Sequence, residues 1–148
     1  MKAPAHYFLE VSGRKKDYLP KICPDKVPSI ELLEGNWGDV GSIILVHYSL
    51  GGQKLLSWES VEAVDKENQS ITYNFFKGDP MKMYKTLKVS FQVSTVDEKN
   101  YLKWTYVYEK LNADVPAPDA FKVLAGEIAD AIDAHYVELQ NKCQGIQA

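Results

Sequence analysis

The stretch Leu87–Lys110, LKVSFQVSTVDEKNYLKWTYVYEK, carries the clearest pattern in the chain. Leu87, Val89, Phe91 and Val93 alternate with Lys88, Ser90, Gln92 and Ser94. After the polar turn Asp97-Glu98-Lys99-Asn100, Leu102, Trp104, Tyr106 and Tyr108 alternate with Lys103, Thr105, Val107 and Glu109. Successive side chains of a strand point to opposite faces, so this period of two predicts antiparallel strands with one face buried and one wet.

Four more strand-like runs precede this pair: Ile30–Glu34, Ser42–Leu50, Lys54–Val64 and Ser70–Lys77. Gly51-Gly52 and the polar turn Asp65–Gln69 separate the last three, and Gly78-Asp79-Pro80 closes the fourth. Six strands between about residues 28 and 110 therefore form a meander. Ahead of them, Pro4–Val11 reads as a short helix ended by Ser12-Gly13, and Lys15–Ile22 as a second one stopped by Pro20 and Pro24. Past the sheet, LNADVPAPD breaks the pattern. Phe121, Leu124, Ala125, Ile128, Ile132, Tyr136 and Leu139 then recur at helical spacing from Asp119 to about Asn141. That helix would run ~34 Å, enough to cross the whole sheet. Strands followed by one long helix make an α+β architecture, and 148 residues fit one domain over 1–148.

Bulk properties narrow the function. A formal charge of −3 gives nucleic acid no electrostatic hold. The cluster Arg14-Lys15-Lys16 is short and reads as a solvated helix end. Cys23 and Cys143 have no metal or disulfide spacing, which suits a reducing cytosol. No apolar run approaches the ~18 residues of a membrane span, and the N-terminal MKAPAHYFLEV lacks a secretory apolar core, so a soluble cytoplasmic protein is expected. His6, His47 and His135 lie on different elements, and no Ser-His-Asp, Cys-His or paired-carboxylate arrangement stands out. No catalytic residue, metal or cofactor is nominated.

LLEGNWGDVGSII, Leu32–Ile44, places glycines at Gly35, Gly38 and Gly41. A phosphate-binding loop needs a Gly-Lys pair or a helix opening after the glycines; here a strand follows. The run is a strand-to-strand connection. With VEAVDKENQSITYNFFKGD (Val61–Asp79) and WTYVYEKLNADVPAP (Trp104–Pro118), it resembles the major latex protein subgroup of the birch-pollen-allergen superfamily, from about Lys2 to His135. The resemblance implies a helix-grip fold: a curved antiparallel sheet around a long C-terminal helix, two short helices as a V-shaped support, and an apolar cavity between. It also implies a plant cytosolic ligand binder. Family members begin with a further strand ahead of the first short helix, which this chain lacks. Six strands with two open edges are expected, and a homodimer through those edges.

On the concave face of such a sheet, alternation nominates Leu87, Val89, Phe91, Leu102, Trp104, Tyr106 and Tyr108, then Ile71, Tyr73 and Phe75. In Ser42–Leu50 both parities are apolar, and the family pattern favours Ile44, Val46 and Tyr48. Glu59 and Val61 join them from the third strand, and Leu124, Ile128, Ile132 and Tyr136 from the long helix. Plain core packing is the alternative for all of these. Glu59 either points inward, where burial would raise its pKa, or outward into solvent. Trp37, at the tip of the glycine loop, is placed at the cavity entrance. The expected function is non-enzymatic storage or transport of an amphipathic or hydrophobic plant metabolite, linked to defence or stress. An acid–base enzyme of alkaloid-type metabolism using Glu59 or a cavity tyrosine is one alternative; a protein- or RNA-interaction module is another.

Overall fold

The computed structural model describes residues 2–147, with side chains through residue 142. Six strands form one antiparallel sheet in sequence order: β1 Ser29–Glu34, β2 Ile43–Leu50, β3 Gln53–Asp65, β4 Ser70–Gly78, β5 Tyr84–Val96 and β6 Lys99–Lys110. Three α-helices, α1 Ala5–Ser12, α2 Leu19–Ile22 and α3 Asp119–Gln147, complete the fold.

Two local expectations change. Pro20 does not stop the second helix; it sits in the first turn of α2, where a missing N–H costs nothing, behind a 3-10 turn at Lys16–Tyr18. The β5–β6 turn is shorter than its polar run suggests. Only Asp97 and Glu98 form it, both left-handed at φ 52° and 67°, while Lys99 and Asn100 already pair with β5.

Curvature has identifiable causes. The ladder skips Leu33 on β1, Glu62 on β3, Phe76 on β4 and Lys85 on β5, each an extra residue facing none on its partner. Such bulges bend a strand and increase its twist. The sheet therefore wraps toward α3, whose Leu124, Ala129 and Ile132 are buried. Leu139, grouped with that apolar stripe, is 42% exposed instead. α1 packs Phe8 and Val11 fully into the core.

Polar anchors fix the ends of the sheet. Asp79 accepts the Leu56 N–H at 2.7 Å and faces Lys82 at 3.0 Å; those two hydrogen bonds hold its carboxyl below the usual aspartate range. Tyr84, fully buried, donates its hydroxyl to Pro116 C=O at 2.8 Å and ties the proline loop down ahead of α3. Asp133 on α3 accepts the N–H groups of Lys2 and Ala3, and Asn100 donates to Ala3 C=O at 2.9 Å. Burial pushes the Cys23 thiol up to about 11, so it is an unreactive packing residue.

Candidate functional site

β3 supplies the polar side of the space between sheet and helix. Period two turns Ser57, Glu59 and Val61 to the concave face, opposite Val46 and Ile44 of β2, while Trp58 points out beneath the Lys77 ammonium at 4.8 Å. Between this face and α3 lie two chambers of about 170 and 160 Å³. Val46, Tyr48, Phe75, Leu87, Val89, Trp104, Tyr106, Leu124 and Ile128 line the first, with Phe121. Tyr73, Phe75, Val89, Phe91, Trp104, Ile128 and Ile132 line the second, with Phe8. Lys16, Leu19, Glu59, Phe75, Val89, Trp104, Ala125 and Ile128 border both, so the chambers meet at a waist. Together they reach the low end of the roughly 300–1,000 Å³ typical of ligand pockets.

That waist is ionic. Glu59 is 5% exposed, accepts the Ser57 hydroxyl at 2.7 Å, and faces the Lys16 ammonium at 3.7 Å. Lys16 Nζ also sits 3.6 Å above the Tyr73 ring. Burial alone lowers the proton affinity of Lys16, but Tyr73 and the Glu59 carboxylate more than reverse this, and its pKa lies above the ordinary lysine value. Tyr73 in turn donates its hydroxyl to Ser12 C=O at the end of α1. Tyr106 reaches Phe121 C=O at 3.5 Å, and burial pushes its phenol to about 12. Tyr48 is 5% exposed, and among the described residues its hydroxyl has no hydrogen-bond partner. Burial, then the charges of Glu59 and Asp79, raises the Tyr48 pKa and keeps the hydroxyl a neutral donor.

Several nominated residues lie elsewhere. Ile44 and Val61 are buried in the core beside the waist and border neither chamber. Leu102 packs half-buried against the same core near the β5–β6 turn. Ile71 faces an outer groove of about 440 Å³ with His6, Arg14 and Lys66. Tyr136 meets Tyr7 at a tilt of 48° with ring centroids 5.2 Å apart, and Tyr108, 37% exposed, meets Tyr84 edge-on at 5.7 Å. Alternation assigns a face, and where along each strand or helix the open space falls is set by the packing of one element on another: on α3 the first four turns, Phe121 to Ile132, border it.

The glycine loop stays outside the chambers. Gly38 packs so closely on the end of α1 that a Cβ would lie 2.7 Å from Arg14 N. Its amides are spent locally, Gly41 N–H on Val61 C=O and Ser42 N–H on Asp39 C=O. Gly35 and Trp37 border neither chamber, and Trp37 packs half-buried against the core.

Lys16 is the main correction. Read as part of a solvated basic cluster, it is 15% exposed and forms the waist. The available signal was its spacing: a 3-10 turn stacks residues i and i+3, and Lys16 shares its face with buried Leu19. Ser57, Phe121 and Ala125 also border the space without having been nominated.

A curved antiparallel sheet gripping one long helix has known counterparts. A family model described as the pathogenesis-related protein Bet v 1 family matches residues 1–139. The chain belongs to the Bet v 1 family. Within it, the chain is 34% identical over 137 residues to MLP-like protein 34 and 33% identical to MLP-like protein 43, both of Arabidopsis thaliana. It covers 43% of the length of the first and 87% of the second, with 91% of the chain aligned in each case. The crystal structure of major latex-like protein 151 from Panax ginseng superposes with a TM-score of 0.88 at 30% identity, covering 91% of this chain and 90% of that one. Among the described residues, no helix is long and apolar enough to cross a membrane.

Proposed function

We propose that this Bet v 1 family chain binds an amphipathic or hydrophobic plant metabolite between its sheet and α3, storing or carrying it in the cytosol in a defence or stress setting. The observation that carries the reading is an apolar two-chambered cavity holding a buried tyrosine hydroxyl, that of Tyr48, with no partner among the described residues. Buried polar groups are normally satisfied, and a ligand oxygen would satisfy this one. Glu59 accepts from Ser57 and is ion-paired with Lys16, which supports binding over use as a free base.

Nile red, an uncharged dye, is expected to gain fluorescence on mixing with the protein and to be displaced by cavity ligands. A ligand at about 100 times its Kd adds about 2.7 kcal/mol of stability, or about 5–10 °C in melting temperature for a chain of this size. No dye uptake and no melting shift across sterol, flavonoid and long-chain lipid probes would remove the proposal.

Pairing between copies belongs to the same proposal. β1 and β6 are the terminal strands of the described sheet, and terminal strands present unpaired backbone groups. Light scattering is expected to show a dimer at micromolar concentration; a monomer there rejects edge pairing and leaves the cavity reading untouched.

A further inference from the structure

Resting on that binding reading, we propose that the cavity selects an uncharged, two-lobed amphiphile whose oxygen accepts from Tyr48, and that the Lys16–Glu59 waist excludes free carboxylates. Each lobe fills one chamber, because Lys16 and Glu59 border both and a ligand spanning them must pass the pair. The walls around the pair are apolar: Leu19, Phe75, Val89, Trp104 and Ile128.

Charge balance decides the ligand class. Lys16 and Glu59 neutralise each other, and Glu59 is held in place by Ser57. A ligand carboxylate would add a second negative charge beside Glu59 with no cation of its own. Burying an uncompensated charge is costly, and like charges in a partly desolvated site repel by several kcal/mol at about 4 Å even with an effective dielectric near 20. A neutral carbonyl or hydroxyl incurs neither cost. It also finds donors waiting, since the Tyr48 hydroxyl is unpartnered among the described residues. The Lys16 ammonium, at 3.7 Å from Glu59, is beyond hydrogen-bond distance and keeps donor capacity.

Matched probes test this: methyl dodecanoate against dodecanoate, each displacing Nile red at pH 7.5. Wild-type protein is expected to bind the ester about tenfold or more tightly than the acid. Glu59→Gln keeps an acceptor for Ser57 but leaves Lys16 uncompensated, so the preference should reverse toward dodecanoate. Lys16→Gln, which leaves Glu59 alone, should weaken dodecanoate further while changing the ester little. Tyr48→Phe should weaken the ester about fivefold, the worth of one neutral hydrogen bond. Equal affinities for the two probes in wild type, with Nile red still bound, overturn the selectivity and spare the binding reading. So does an unchanged preference in Glu59→Gln, or tighter dodecanoate binding in Lys16→Gln. No Nile red uptake by wild type overturns both.

Discussion

Glu59→Ala is expected to destabilise the protein by about 3–5 kcal/mol, because it strands a buried lysine charge without its partner. The Lys16 side chain is only 15% exposed and lies between apolar walls, so bulk water cannot take over the role of the carboxylate. The substitution also leaves the fully buried Ser57 hydroxyl without its acceptor. For a chain of this length the melting temperature should fall by about 10 °C or more. Replacing both partners, as Lys16→Met with Glu59→Leu, should recover most of the loss, since an apolar pair avoids the desolvation that an ion pair must offset. Thermal and urea unfolding of the two single variants and the double variant measure the coupling directly. A loss under about 1 kcal/mol in Glu59→Ala would show that Lys16 swings out to solvent, and the ionic waist would then not be a fixed feature of the cavity.

Gly78→Ala should cost about 3 kcal/mol through backbone strain and crowding together. Gly78 ends β4 at φ 104° and ψ −161°, a conformation open to glycine and strained for any L side chain. A Cβ there would lie 2.5 Å from Leu56 C=O. That carbonyl cannot retreat easily, because the Leu56 N–H is held by Asp79 at 2.7 Å. Gly52→Ala is the control: it also carries positive φ, 82°, but nothing lies within 4 Å of its Cβ. Urea midpoints should therefore fall much further for Gly78→Ala than for Gly52→Ala. Equal losses would assign the effect to φ alone and reject the crowding.

Much of the fold was legible because it repeats. Alternation over Leu87–Lys110 marks β5 and β6, and three- and four-residue spacing marks α3. Most of the residues nominated for the concave face do border the chambers, for the same reason: a period of two assigns a face. What that period does not assign is depth. Ile44, Val61 and Leu102 lie on or beside the same face but pack into the core and do not border the open space.

The amino-acid sequence by itself determined the order of the elements and the inward parity of the last three strands, which follow from local periodicity and short turns, and it pointed to the family through the resemblance of three stretches. Whether Glu59 pointed in or out was open in the sequence, and Lys16 looked solvated beside Arg14 and Lys15. Only the tertiary structure brings the 3-10 turn over β3, and with it an ammonium over a carboxylate. Local pattern cannot show this, because a lysine stays buried only when a distant partner compensates its charge, and that partner is supplied by the packing of one element on another.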